Sequence, residues 1–189
     1  QNYLRNGLFK KNNFLGFITI SEVLAQQYVS AGIPREKIFV QCNGADLGMF
    51  EKYSLDKKEA RRKFSFPLDK KMVMYCGHLY DYKGIGLILD LALKMPDTLF
   101  VLVGGSPEDK SRWEGISQGR NLKNFIFTGF VVQQMVPQYL SAADVLILPN
   151  IGKDRESDYT SPLKLFDYMA ARRPIVASKL KNIENVLIH

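Results

Sequence analysis

Short apolar runs alternate with amphipathic segments through most of this chain. The runs cover residues 72–77, 99–105, 124–130, 144–149 and 174–178, and several of them end in glycine or proline. Continuous apolar runs of this length are typical of strands that are buried on both faces of a parallel sheet. We therefore expect five such strands.

The segments between these runs have helical periodicity. Ile85, Ile88, Leu89, Ala92 and Met95 would share one helix face, and Pro96 would end that helix. Two more helices are predicted, one around 136–143 and one over 161–172. Strands that alternate with helices predict an α/β fold with a doubly wound parallel sheet, in which ligands bind outside the carboxyl ends of the strands.

The first part of the chain has a different organisation. Residues 14–20 and 37–41 predict strands, and the intervening segment predicts a helix that begins after Ser21 and ends at Gly32. The low hydrophobicity of residues 51–56 makes that stretch the best candidate for a domain boundary.

Composition narrows the functional classes. The net charge is +7, and basic residues cluster near residue 60, where Asp56 and Glu59 predict the start of a short charged helix. This cluster is interpreted as a solvated helix face or as an attraction to an anionic membrane surface. Cys42 and Cys76 form no disulfide framework, Cys76 is expected to be buried, and no apolar run is long enough to span a membrane. These features predict a cytoplasmic protein, which could also contact the inner face of the membrane peripherally.

The loop after the first of the five strands, residues 77–84, is the first candidate site. Gly77 permits close approach of the backbone to a ligand, His78 follows it, and Lys83 adds positive charge at a helix start where free amides already favour anions. A diphosphate would suit these features. The alternative is an ordinary βα turn with a solvated lysine.

The second candidate is the start of the helix at 161–172. Ser161 is a suitable N-cap and Pro162 a suitable first residue, which would leave the amides of Leu163 and Lys164 free for a phosphate. Asp167, on the same helix face, could accept hydrogen bonds from a ribose diol. Alternatively, Asp167 only stabilises the helix N-terminus.

A third candidate follows the strand at 124–130. The backbone of Gly129, Phe130 and Val131 could lie against a nucleotide base, although most such turns are structural. Trp113 is expected to pack rather than to bind ligand. The sequence contains no D-x-D motif, no metal-ligand cluster and no catalytic-triad pattern, so no metal is expected.

Several motifs in order resemble retaining glycosyltransferases of family 4, which have the GT-B fold. The strongest is SPLKLFDYMAARRPIVAS, which resembles the donor-site helix and the strand after it. The resemblance extends to MYCGHLYDYKG, FVLVGG, FTGFV, YLSAADVLILP and the upstream segment from FITISEVL to GMF.

The resemblance implies that residues 49–189 form the Rossmann-like C-terminal domain, which binds a nucleotide diphosphate sugar and is incomplete at its C-terminus. Residues 1–48 would be the tail and linker of the acceptor-side domain, and this fragment alone would be inactive. Lys83 would neutralise the diphosphate and stabilise the leaving nucleotide, the amides of Leu163 and Lys164 would bind the terminal phosphate, and Asp167 would hold the ribose. UDP- or GDP-sugars are the expected donors, without a metal or other cofactor. The acceptor could be a glycan, a lipid or a protein.

The sequence departs from the family pattern at four positions. Asp167 replaces a glutamate, Tyr159 stands where a second glutamate would contact the donor sugar beside Thr160 and Ser161, and His78 replaces an arginine. Glu156 or Asp158 could substitute for the missing glutamate. Arg172 stands where glycine is usual, so the turn there should differ or be strained.

Three rival functions remain at this stage. A non-catalytic nucleotide-binding module would retain the nucleotide site without transfer, and a sugar-nucleotide epimerase would use the same fold. A basic nucleic-acid module would need aromatic and basic residues interleaved on one face, which this sequence lacks. We therefore expect no nucleic-acid partner.

Overall fold

A computed structural model describes residues 14–152, 163–184 and 186–187. The chain divides into two compact units. Of the described residues, the first unit comprises 14–44, 152, 180–184 and 186–187, and the second comprises 45–151 and 163–179. The assignment of residues 1–48 and 49–189 to two domains of a longer protein stays a prediction.

The first unit contains a two-stranded parallel sheet. Strand β1 (Phe17–Thr19) pairs with β2 (Ile38–Val40), and helix α1 (Glu22–Ser30) connects them. The Ser21 hydroxyl accepts a hydrogen bond from the Leu24 amide at 3.2 Å, so the predicted N-cap is confirmed. The unit also contains the short helix α8 (Lys181–Glu184).

The second unit is built on a five-stranded parallel sheet. Its strands are β3 (Met72–Cys76), β4 (Leu99–Val103), β5 (Phe125–Gly129), β6 (Val145–Leu148) and β7 (Ile175–Ala177). Their spatial order is β5-β4-β3-β6-β7, and every neighbouring pair is parallel. The predicted α/β fold with a Rossmann-like doubly wound sheet is confirmed. After β3, the strands β4 and β5 are added on one side of it, and β6 and β7 on the other. This switch in strand order lies between β3 and β6, and such sheets bind ligands at the switch.

Within the described residues, this unit contains six α-helices. They are α2 (Leu47–Tyr53), α3 (Lys57–Lys63), α4 (Ile85–Lys94), α5 (Pro107–Gly119), α6 (Val136–Ala142) and α7 (Leu163–Ala170). The sequence pattern did not predict α5, because Trp113 and Ser117 are its only buried side chains and no apolar stripe marks it. Its start is nevertheless well defined, since the Ser106 hydroxyl accepts a hydrogen bond from the Asp109 amide at 3.1 Å.

The core lies between the sheet and its helices. Ile85, Ile88, Leu89 and Ala92 of α4 are fully or almost fully buried, as their spacing predicts. Met95 was wrongly predicted to share that face. It is the C-cap residue, where the backbone has left the helical conformation, and its side chain is 43% exposed.

The basic cluster of α3 is not a uniformly solvated face. Arg61 is 3% exposed and donates a 2.7 Å hydrogen bond to the Asp144 carboxylate, and Lys57 binds the other oxygen of that carboxylate at 2.9 Å. Arg61 also donates to backbone carbonyls, which include that of Ala142 at 2.9 Å. This arginine therefore connects α3 to the start of β6.

Two further observations bear on the predictions. Arg172 has a φ of 54°, so the turn between α7 and β7 keeps the left-handed conformation that glycine would adopt without strain. Among the helices that the structure describes, none is long and apolar enough to cross a membrane.

Candidate active site

Glycines bring the carboxyl ends of three strands close together. The Gly77 amide donates to the Val103 carbonyl at 2.7 Å, and the Gly104 amide donates to the Gly129 carbonyl at 2.9 Å. Gly104 has a φ of 108°, and a Cβ there would lie 2.5 Å from the Gly77 carbonyl oxygen. Only glycine allows this approach without displacing the neighbouring backbone.

The loop from β3 to α4 is held in place by its neighbours. The Tyr75 hydroxyl donates to the His78 carbonyl at 2.7 Å. The indole nitrogen of Trp113 donates to the Leu79 carbonyl at 2.7 Å, and the side chain is buried. Trp113 is therefore a packing residue, as predicted, and it fixes the loop from the side of α5.

Three aromatic rings of this loop form a stack. His78 lies parallel to Tyr80 with ring centroids 5.0 Å apart, and Tyr80 stacks on Tyr82 at 5.6 Å. The Lys83 ammonium lies over the Tyr82 ring, 4.8 Å from its centroid. The tyrosines are each exposed by more than two fifths, so the stack lies at the surface of the unit.

Lys83 lies at the end of a 3₁₀ turn, Asp81–Lys83, directly before α4. Burial lowers the pKa of Lys83. Gly84 follows with a φ of 78°, and a Cβ there would overlap the Pro149 carbonyl after β6. The absence of a side chain at residue 84 therefore brings the start of α4 against the end of β6, at the switch in strand order.

Helix α7 contacts the carboxyl end of β3. Its Leu165 and Tyr168 are buried, and the Tyr168 hydroxyl accepts a 2.8 Å hydrogen bond from the Cys76 amide at the end of β3. Leu163 is exposed, whereas Lys164 and Asp167 are half-buried. The helix thus places Lys164 and Asp167 near the carboxyl end of the central strand.

The charged groups influence one another. Burial, followed by the like charge of Lys83, lowers the pKa of Lys164 to about 8. Burial raises the pKa of Asp167, and the charge of Lys164 partly opposes that rise. Burial raises the pKa of the Cys76 thiol to about 12, so this cysteine is a neutral, buried side chain, as predicted.

The structure brings together one subset of the predicted site residues. Gly77, Lys83, Lys164 and Asp167 gather at the carboxyl end of β3. Gly129 ends β5, two strands away, where Phe130 is 79% exposed and Val131 is half-buried. Five predicted residues lie outside the described residues: Glu156, Asp158, Tyr159, Thr160 and Ser161.

Sequence reasoning missed two features of this region. It considered only the backbone amide of Lys164, since nothing in the sequence shows where a lysine side chain ends. It also passed over Asn150, two residues after the end of β6, whose side-chain oxygen is buried without a hydrogen-bond partner among the described residues. A polar residue just beyond an apolar strand was the available signal for Asn150. The described residues contain no group of three or more side chains placed to bind a metal.

Curated relatives of this chain include bacterial glycosyltransferases. The chain is 28% identical over 149 residues to the putative teichuronic acid biosynthesis glycosyltransferase TuaH of Bacillus subtilis, covering 77% of this chain and 35% of that protein. It is 26% identical over 187 residues to the amylovoran biosynthesis glycosyltransferase AmsK of Erwinia amylovora, covering 96% and 43%. The chain thus spans well under half the length of these relatives.

Solved structures share the fold. The crystal structure of Anabaena HepE in complex with UDP-glucose has a TM-score of 0.73 and 21% identity, and the match covers 93% of this chain and 48% of HepE. The family described as glycosyl transferases group 1 matches residues 70–189, which include the whole central sheet and every described residue of the candidate site. This chain therefore belongs to the group 1 glycosyltransferases.

Proposed function

We propose that this chain binds the nucleotide diphosphate sugar of a retaining glycosyltransferase, and that the whole protein transfers the sugar to an acceptor with retention of configuration. One observation carries the proposal: Lys83, Lys164 and Asp167, from two separate elements, meet at the carboxyl end of β3, where the strand order switches. The UDP and UDP-glucose bound by the similar HepE structures support a nucleotide sugar as ligand.

Each group has a proposed role. Lys83 lies against the diphosphate and stabilises the negative charge that grows on the leaving nucleotide. The amides of Leu163 and Lys164 bind the terminal phosphate, because the first amides of a helix have no partner within the helix. Asp167 accepts hydrogen bonds from the ribose diol. Burial raises the pKa of Asp167, and in its ionised form the carboxylate is an acceptor only.

The remaining predicted residues complete the site. Gly77 and His78 border the phosphates, and the backbone of Gly129, Phe130 and Val131 contacts the base. Tyr159, Thr160 and Ser161 belong to the donor site by resemblance alone. We propose UDP or GDP as the nucleotide, without a metal or other cofactor.

The whole protein needs partners beyond this chain. An acceptor-side domain would close the cleft, exclude water and align the acceptor, so the isolated fragment should not turn over. The names of the relatives, which refer to teichuronic acid and amylovoran biosynthesis, support a role in the synthesis of polysaccharides or glycoconjugates. We propose a cytoplasmic location, where peripheral contact with an anionic membrane would suit the net charge of +7.

Ligand binding tests the proposal directly. A thermal-shift series of UDP, GDP, ADP and dTDP on this chain should show concentration-dependent stabilisation by one of them. Asp167→Asn should weaken binding by roughly tenfold, the usual scale for a hydrogen bond to a charged group, whereas Asp167→Glu should bind comparably. Failure of all four nucleotides to stabilise the chain would reject the nucleotide site.

Transfer needs the full-length protein. Incubation with the preferred nucleotide sugar and a candidate acceptor, followed by NMR of the anomeric proton, should show a product with the configuration of the donor. Binding without transfer or donor hydrolysis would instead favour the non-catalytic module. A product that is another nucleotide sugar would favour the epimerase.

A further inference from the structure

The side chain of Lys164 crosses the backbone of Gly77. A Cβ at residue 77 would overlap Cε and Nζ of this lysine and would lie 3.1 Å from its Cδ. Nζ lies 5.6 Å from the centroid of the Tyr75 ring, which belongs to β3. The end of the lysine chain is thus held against the carboxyl end of the central strand, where the missing side chain of Gly77 leaves room for it.

Among the described residues, no carboxylate forms an ion pair with this ammonium. Neither Lys164 nor Lys83 forms an ion pair within the part of the chain that the structure describes. The groups that act on Lys164 are Lys83 before α4, Cys76 and Tyr75 on β3, and Asp167 on its own helix. Two half-buried lysines that repel each other are an unfavourable arrangement, which a bound polyanion would stabilise.

We infer that the Lys164 side chain is the second phosphate-neutralising cation of the donor site, in addition to its backbone amide, and that Gly77 is required to admit it. This inference rests on the proposed function, which supplies the nucleotide diphosphate as ligand. Lys83 reaches the diphosphate from the start of α4, and Lys164 reaches it from α7. An ammonium suits this position because it is a compact point charge with three donors that can rotate.

The neighbouring loop explains why a second cation must come from α7. The only other basic side chain between Gly77 and Lys83 is His78, whose ring lies flat against Tyr80 at an interplanar angle of 4°. Lys83 is the only lysine or arginine in this loop, and Lys164 of α7 adds a second ammonium group.

Calorimetric titration with UDP and UMP tests this inference. Lys164→Met keeps the apolar stem but removes the charge, so it should weaken UDP binding by about tenfold or more and UMP binding by less. Lys164→Arg should restore much of the UDP affinity. Lys94→Met, a matched change of an exposed lysine at the other end of α4, should leave both affinities unchanged.

The pH dependence of UDP affinity distinguishes a charge role of Lys164 from a packing role, because a packing role would not depend on the protonation of this lysine. Lys164 with a pKa of about 8 is protonated at pH 7 and loses its charge as the pH rises, so wild-type affinity for UDP should fall between pH 7.5 and 9, bounds chosen as roughly half a unit below and one above that pKa. Lys164→Arg should bind UDP with a flatter profile, because arginine stays charged over this range.

The outcomes separate the two proposals. If the wild-type chain binds none of UDP, GDP, ADP and dTDP, the proposed function is wrong and this inference with it. If the wild-type chain binds UDP and folded Lys164→Met binds it within twofold, only the inference is wrong. A Lys164→Met variant that does not fold leaves the decision to the pH profiles of wild type and Lys164→Arg, and identical profiles would overturn the inference.

Discussion

The carboxylate of Asp144 offers a quantitative test of how the sheet is held. Its two oxygens accept hydrogen bonds from Lys57 at 2.9 Å, from Arg61 at 2.7 Å and from the Met72 amide at 2.8 Å. Asp144→Asn replaces this carboxylate with a neutral side chain of nearly the same shape. One of the donors would then face an amide NH₂ group instead of an oxygen.

The magnitude follows from the pKa of the carboxylate. Burial alone would raise the pKa of Asp144, but the hydrogen bonds from Lys57, Met72 and Arg61 outweigh burial and lower it from 3.8 to about 2. Each unit of pKa corresponds to about 1.36 kcal/mol, so the folded protein stabilises the ionised form of Asp144 by roughly 2 kcal/mol relative to the neutral form. The side chain is 18% exposed, so screening by solvent does not remove most of this effect.

The contribution of Asp144 to the free energy of unfolding should decrease at low pH. Because the folded state lowers the pKa, the stabilisation is present above pH 4 and is lost as the pH falls from about 4 towards 2. Urea unfolding of wild type and Asp144→Asn should therefore differ by roughly 2 kcal/mol at pH 7 and by much less near pH 2. Asp90→Asn is the control, because Asp90 pairs with Arg120 at the surface and should change stability by under about 1 kcal/mol.

A difference between wild type and Asp144→Asn that stays constant from pH 7 to pH 2 would refute this reasoning. So would a control variant as destabilised as Asp144→Asn. Nucleotide binding by the folded variant should be unchanged, since Asp144 precedes β6 and the candidate site lies at the opposite end of the strands.

Three further predictions concern the loop and its neighbours. Trp113→Phe should lower the free energy of unfolding by about 1–3 kcal/mol, because the Leu79 carbonyl loses its partner; equal stability would show that the bond contributes nothing. Mass spectrometry after iodoacetamide treatment of the native chain should find Cys42 modified and Cys76 intact, since Cys76 is buried and its pKa is raised to about 12; rapid labelling of both would contradict the described burial. Gly84→Ala should destabilise by about 2 kcal/mol or more in thermal or urea unfolding, because residue 84 has a φ of 78° and the new Cβ would overlap a backbone carbonyl; a neutral effect would refute the close approach.

The middle strands of the sheet, β4, β3 and β6, were predictable because nearly all of their residues are buried, whichever face they point to. Such strands appear in sequence as continuous apolar runs, and the runs at 72–77 and 99–105 contain β3 and β4. Helix α4 was predictable for a related reason, since one apolar face produces a regular spacing. Helix α5 contributes mainly Trp113 to the core, so its residues carry no such periodicity and its existence could not be predicted in this way.

The candidate site was predictable at the level of the backbone. Glycines after apolar strands and a lysine before a helix indicate an anion site, because these residue types follow from the geometry of loops and helix starts. The course of the Lys164 side chain could not be predicted, since it depends on a contact with Gly77, which lies 87 positions earlier in the sequence (164 − 77). Arg61 was misjudged for a similar reason: its burial depends on Asp144 and on carbonyls far along the chain.

The chain contains a single tryptophan, and its indole is bonded to the loop that ends in Lys83. Tryptophan emission therefore comes from one position, next to the loop that contributes Lys83 to the candidate site. Emission recorded during a titration would report on that loop without a dye or an engineered label. Excitation at wavelengths that tyrosine does not absorb would isolate the tryptophan signal from that of the nine tyrosines.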